Sequence, residues 1–398
     1  MASALPDVPT QHKAVIYNKP GTLSTKVVLL DTPEPGPGQV LINLTHSGVC
    51  HSDYAVMTNG WKVLPAPTQE GQVGGHEGVG HVVKLGSGTE STGIKIGDRV
   101  GVKWVASACG RCAIKPPSCP SSPHGWNKIR QRSSPPRQLN LKSLPAPCLV
   151  RLDGVCFNMQ ISGYYTPGTF QQYVLGPAAY VTPIPEELDS ANAAPLLCAG
   201  VTAYSALLRS QTKPGNWVVI SGAGGGLGHL ACQIGSRALG LRIIGIDHVS
   251  KADIVKESGA EHFVDMVQFS EDSDLTAHVK SLSDGLGAHA VVVCAASNRA
   301  YAQALGLLRF SGTLVCVGMA EGEPVPISGA NPPSLITQQQ SVVGSTVGNQ
   351  HEAIEVLGFA ARGLVKTHFQ VKKMEQLTDI FEDMHAGKLS GRVVLDLS

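Results

Sequence analysis

Net charge is nearly absent from this 398-residue sequence: 31 Lys and Arg stand against 30 Asp and Glu, leaving +1. Nucleic acid and anionic membranes attract proteins through a concentrated basic excess, so neither is expected as a partner. Small, nearly neutral partners fit better. Long apolar runs are also missing, with no stretch of 18 or more uninterrupted apolar residues. The N-terminal MASALPDVPTQHKAV lacks the basic start and apolar run of a secretory signal. These absences lead us to expect a cytoplasmic protein. Cysteine is sparse as well, since ten in a chain of this length are too few for a disulfide scaffold. The clustering of Cys109, Cys112, Cys148 and Cys156 has the spacing of a metal site instead.

What is present is 42% hydrophobic residues and 45 glycines, a composition that is globular, turn-rich and able to bury large cores. The length suits two domains on the soft prior of roughly 100 to 200 residues each. From about residue 12 to about 105, short β-like runs (KAVIY, VLINLTHSGVC, GVGHVVKLG, RVGVKW) alternate with Pro and Gly turns, which predicts a mostly antiparallel β domain. From about residue 215 the pattern changes to WVVISG, a helix through LACQIGSRALG, then LRIIGID, HAVVVCAAS and GTLVCVG. Apolar strands alternating with helices predict a parallel sheet covered on both faces. Residues 114–146 match neither texture, being rich in Pro, Ser and basic residues and devoid of Asp and Glu. By composition they read as a disordered loop, longer than the roughly 12 to 15 residues usual inside a compact domain.

After WVVISG come Gly222, Ala223, Gly224, Gly225, Gly226, Leu227 and Gly228, and a helical pattern begins at once. Glycines let a pyrophosphate approach the backbone, and the helix start offers free N–H groups and a positive dipole end. The spacing is one residue longer than G-x-G-x-x-G, and a glycine-rich turn alone is about as often an ordinary loop. The following strand ends in Asp247, the acid expected about 20 residues on to bind the ribose hydroxyls. Its charge repels a 2′-phosphate, which favours NAD over NADP.

Three runs, SGVCHSDYAVMTNGW, GGHEGVGHVVKLG and APLLCAGVTAYSAL, resemble the zinc-containing medium-chain alcohol dehydrogenases, in particular their tetrameric yeast and fungal branch. The likeness covers nearly the whole chain except residues 114–146. It implies an α/β architecture: a GroES-like, β-rich catalytic domain from residues 1–199 and 341–398, and a Rossmann coenzyme domain, a doubly wound parallel sheet, from 200–340. It implies a catalytic zinc held by Cys50, His76 and Cys198, the Cys2His set known from alcohol dehydrogenases, with a fourth position open to the alcohol oxygen. Asp53 and Glu77 match positions beside that zinc, and Asp53 is expected to accept the second ring N–H of His76. Buried thiols and a core histidine are the alternative for any one of these residues. For Cys232, Cys294 and Cys316, in apolar runs, the core reading is preferred.

The resemblance further places His51 and Arg392 at the pyrophosphate, Lys251 near the ribose, and Ser52 on the alcohol oxygen as the start of proton release. Trp61, Trp104 and Met319 match positions that narrow the substrate pocket toward small primary alcohols. Where the yeast enzymes carry a relay histidine this chain has Ala55, so the proton is expected to pass from Ser52 through the nicotinamide ribose to water. The family's structural zinc uses C-x2-C-x2-C-x7-C; here Cys109 and Cys112 are separated from Cys148 and Cys156 by the 114–146 segment. Joining Ala113 to Pro147 restores the spacing, so the segment reads as an insertion, with Cys119 inside it a competing thiol. The implied activity is reversible, NAD-linked oxidation of a small alcohol by a homotetramer. An aldehyde or ketone reductase, or a non-catalytic dinucleotide-binding protein damaged by the insertion, are the alternatives.

Overall fold

The computed structural model describes residues 7–109, 153–156, 158–320, 323 and 325–398. Six parallel strands form one sheet, in spatial order His262–Asp265, Arg242–Asp247, Trp217–Ser221, Ala288–Val293, Leu308–Cys316 and Ser341–Gly344. Counted along the chain this is the order 3-2-1-4-5-6 of doubly wound dinucleotide folds. Its switch point falls between Trp217–Ser221 and Ala288–Val293, which pair in parallel from Val218–Ala290 to Ser221–Val293. Ligands of such sheets bind outside the C-terminal strand ends at that point, and the glycine turn begins there.

The central strand reads W-V-V-I-S without polar alternation because helices cover both of its faces. Val218 and Ile220 join one buried cluster with Leu230, Val292 and Val315, whereas Trp217 and Val219 join another with Ile244, Val291 and Leu314. The sixth strand, Ser341–Gly344, pairs with Thr313–Cys316 at the edge of this sheet. It lies past residue 340, where the sequence reading placed the return to the catalytic domain.

A second, seven-stranded sheet takes strands from both ends of the chain. Its core is Gln39–Val49, flanked by Gly78–Leu85, Tyr173–Pro177 and the C-terminal Arg392–Asp396, all antiparallel to it. Phe369–Lys373 extends the sheet beyond Arg392–Asp396 in parallel. Arg392 is thereby carried from the far end of the sequence to the strand beside Val49 and the Cys50 turn. Between the two sheets runs a continuous helical segment, Ser190–Arg209, long and apolar enough to cross a membrane by composition, but mostly buried inside the protein. It is a core helix.

Candidate active site

Cys50 caps the short helix His51–Met57 with extended backbone, and Asp53 three residues on accepts the Cys50 N–H through Oδ2 at 2.9 Å. The other oxygen of Asp53, Oδ1, lies 2.7 Å from His76 Nδ1. One carboxylate thus fixes both a backbone corner and an imidazole. A carboxylate only accepts, so Nδ1 carries a hydrogen and Nε2 is turned away from Asp53 toward the cysteine sulfurs.

His76 follows Gly74-Gly75, and Gly75 has φ +91°. A Cβ at Gly75 would come within 2.7 Å of Phe170 and Thr169, so the turn that presents His76 requires glycine there. Cys198 arrives from the core helix, in a π-helical turn at Leu196–Gly200 directly after Pro195. Proline removes a helical donor, and π-turns recur where a helix must re-aim a functional side chain.

These elements converge. One ligand atom each from Cys50, His76, Glu77 and Cys198 lie within 4.8 Å of one another, and all four residues are buried. His76 Nε2 stands 3.2 Å from Cys198 Sγ, and the two sulfurs are 4.0 Å apart. The Cys50–Cys198 contact pushes Cys50 well below the ordinary thiol range against its own burial, and the same contact with burial pushes Cys198 up. Burial opposes protonation of His76, but Asp53 and Cys50 together hold its pKa well above the usual value. Two thiols and an imidazole this close, in a buried space, fit a tetrahedral zinc ion.

Glu77 gives a second test of that fit. Oε1 is ion-paired with Arg392 and lies 4.0 Å from His76 Nε2, while Oε2 is buried without a partner among the described residues. Burial outweighs Arg392 and pushes Glu77 up to about 7. An orphan carboxylate oxygen beside two thiols and an imidazole fits a cation in this space. Ser52 Oγ stands 3.6 Å from Cys50 Sγ. The Trp104 ring meets His76 edge-on at 4.8 Å, and Trp61 meets Trp104 at 6.2 Å. Met319 follows Gly318 at the C-terminal end of the parallel sheet and is 41% exposed.

At the switch point, Gly222 has φ +80° and Gly228 packs so that a Cβ would lie 2.0 Å from Gly222 O. Asp247 Oδ2 accepts the Gly224 N–H at 2.8 Å and Oδ1 the His248 N–H at 2.7 Å. Gly225, Gly226 and Leu227 complete the turn, and Lys251 packs over Gly224 while its Nζ donates to Leu389 O at 2.9 Å. The glycine turn also touches the catalytic domain, since a Cβ at Gly226 would reach Arg392 Cδ at 2.6 Å.

Of the four cysteines expected around a second zinc, Cys112 and Cys148 lie outside the described residues, as does the 114–146 segment with Cys119. Cys109 and Cys156 come together with their sulfurs 3.4 Å apart, and the N–H groups of Cys109 and Asn158 point at Cys156 Sγ from 3.3 and 3.4 Å. Cys232, Cys294 and Cys316 lie in or against the apolar clusters of the coenzyme sheet, and burial raises all three thiols.

Sequence reading missed the ring stack at the start of the Cys50 helix. His51 stacks on Tyr54 at 5.2 Å, Tyr54 stacks on His385 at 5.7 Å, and the Tyr54 hydroxyl lies 2.6 Å from His385 Nδ1. The three-residue spacing of His51 and Tyr54 was a legible signal for one helix face; His385, more than 300 positions on, gave none. Ala55, at the relay position, is fully buried.

A doubly wound dinucleotide fold set against a buried Cys–His–Glu–Cys cluster defines a metal-dependent dehydrogenase. Comparison with known families agrees: residues 36–126 match the alcohol dehydrogenase GroES-like domain and residues 226–362 the zinc-binding dehydrogenase domain. The chain is 60% identical to alcohol dehydrogenase 2 of Emericella nidulans over 399 aligned residues, covering 99% of this chain and 100% of the relative. It is 38% identical to the alcohol dehydrogenase of Schizosaccharomyces pombe, over 98% of both chains. Among solved structures, the alcohol dehydrogenase of the archaeon Aeropyrum pernix superposes with a TM-score of 0.76 at 25% identity, over 96% of this chain and 99% of that one. The chain belongs to the zinc-containing medium-chain alcohol dehydrogenases and is an NAD-dependent zinc enzyme.

Proposed function

We propose that this enzyme interconverts a small primary alcohol and its aldehyde, with Cys50, His76 and Cys198 as the catalytic zinc ligands. The convergence of these three side chains, with Trp104 against His76, is the observation that carries the reading. When bound, zinc supplies a Lewis acid that lowers the alcohol's pKa and NAD accepts the hydride. Asp53 holds His76 in the tautomer that leaves Nε2 free. Glu77, neutralised in part by Arg392, adds negative charge next to the ligand set. Ser52, beside Cys50, takes the alcohol's proton while passing its own hydroxyl proton on toward water. Trp61 and Trp104 form one wall and limit substrate size. On the coenzyme side the turn from Gly222 to Gly228 presents N–H groups to the pyrophosphate, Arg392 and His51 add positive charge, and Asp247 disfavours a 2′-phosphate.

Further parts of this reading are a cytoplasmic homotetramer, a structural zinc on Cys109, Cys112, Cys148 and Cys156, and a catalytic domain closed by the C-terminal strands. The exposed edge strand Ser341–Gly344, with Ile336 72% exposed shortly before it and Phe310 58% exposed in the strand it pairs with, supports subunit association. The experiment is Cys50→Ser and Cys198→Ser, scored by zinc per chain and by ethanol-dependent growth of NADH absorbance. Loss of one zinc with near-complete loss of turnover is expected. Near-normal turnover in a variant that lacks the zinc would sink the metal mechanism.

A further inference from the structure

His229 is the second residue of the helix that begins at Gly228, and neither the glycine-turn pattern nor the zinc chemistry uses it. It is fully buried. Both ring nitrogens are nonetheless satisfied, each by backbone from a different domain. Nδ1 lies 2.9 Å from Gly225 O in the coenzyme turn, and Nε2 accepts the N–H of His368 at 3.2 Å, just before the catalytic-domain strand Phe369–Lys373. A carbonyl only accepts and an amide N–H only donates, so the ring must be neutral with its hydrogen on Nδ1. Burial pushes its pKa down to about 3, in keeping with that state.

One turn further, Gln233 repeats the link: its Nε2 donates to Lys366 O at 2.9 Å and its Oε1 accepts the Lys366 N–H at 2.8 Å. Residues four apart on one helix face thus clamp residues 366–368. His229 differs from Gln233 in also gripping the turn itself. The Gly225 carbonyl receives the backbone N–H of His229 at 3.1 Å as well as the ring, so it is drawn back into the helix and away from the turn's open side. On the other side the link continues: His368 O accepts the Arg392 N–H at 2.8 Å, and the Arg392 side chain pairs with Glu77 beside His76.

We propose that His229 is a positioning residue for the coenzyme: through Nδ1 it holds the Gly225 carbonyl out of the pyrophosphate site, and this bond, not the Nε2 link to His368, sets coenzyme affinity. This rests on placing NAD at the Gly222–Gly228 turn. The two ring bonds can be separated by substitution. Asparagine puts an amide N–H where Nδ1 stands and keeps the turn bond, whereas glutamine puts an oxygen where Nε2 stands and keeps only the bond to His368.

The test is the NADH dissociation constant by fluorescence titration of zinc-loaded enzyme, with KM for NAD, KM for ethanol and kcat, for wild type, His229→Asn, His229→Gln and His229→Ala. One lost buried hydrogen bond corresponds to roughly a five- to tenfold change. Binding of NADH should weaken by about that factor in His229→Gln and His229→Ala and stay within about twofold in His229→Asn. KM for NAD should follow, with KM for ethanol unchanged. Equal affinities in the asparagine and glutamine variants, or a uniform fall in kcat without a change in coenzyme affinity, would overturn the role. Failure of the wild type to bind NADH would overturn the coenzyme placement along with it. A misfolded alanine variant leaves the asparagine–glutamine comparison decisive.

Discussion

Acid should destabilise this enzyme through His229 in a predictable window. In the unfolded chain a histidine titrates at about 6.5, and burial holds His229 in the fold down to about 3. The folded value is the lower one, so as pH falls the unfolded state takes up the proton first. No penalty exists above about pH 6.5; it grows as pH falls from there and is complete only near pH 3. At about pH 5.5 the unfolded state is favoured roughly elevenfold by this one group, about 1.4 kcal/mol. The neighbours facing the ring are Arg392 and His368, and both push its pKa further down. The assay is urea unfolding of wild type and His229→Asn at about pH 7.5 and 5.5. Zinc loss and the other histidines whose pKa is lowered, the partly exposed His46 and His289, act equally on both proteins, so their effects cancel in the difference. Wild type should lose about 1.4 kcal/mol more than the variant on acidification. An identical loss in the two proteins would refute the buried neutral histidine.

Three further outcomes are expected. Asp247→Gly should relax the preference for NAD by removing the carboxylate next to the ribose, read as the ratio of kcat/KM for NAD and NADP; a wild type that already prefers NADP would overturn the assignment. Trp104→Ala and Trp61→Ala should favour longer or branched alcohols relative to ethanol, by roughly tenfold or more if each ring bounds the pocket, and an unchanged ranking of alcohols would place both rings outside it. Deleting residues 114–146 shortens the connection between the second and third cysteines of the expected structural zinc site, which by loop closure relieves on the order of 2 to 3 kcal/mol. A higher melting temperature with unchanged zinc per chain is expected, and a less stable deletion variant would show the segment to be integral to the fold.

The local chemistry was legible in the sequence wherever one short segment supplies it. The run from Trp217 to Gly228 announces strand, glycine turn and helix because apolar periodicity and glycine act over neighbouring residues. The cap formed by Cys50 and Asp53 was seen only in the structure, although the two residues are just three apart. Resemblance to a family supplied the grouping of Cys50, His76 and Cys198, which no local pattern could, since they come from a helix cap, a glycine loop and a π-turn. The sixth parallel strand escaped the boundary at residue 340 because Ser341–Gly344 is too short to carry a period and is held by pairing with Leu308–Cys316.

What the sequence determined by itself, then, is the set of local conformations and the types of donor atoms. Only the tertiary structure decided which distant groups share a buried space. Arg392 meets Glu77, and His385 meets Tyr54, because the C-terminal strand pairs with Gln39–Val49 and the helix before it packs on Tyr54. His229 became a two-domain link only through residues 366–368, which lie more than 130 positions away. Hydrogen bonds and ion pairs of this kind depend on contacts a few ångströms long, and periodicity along the chain carries no information about them.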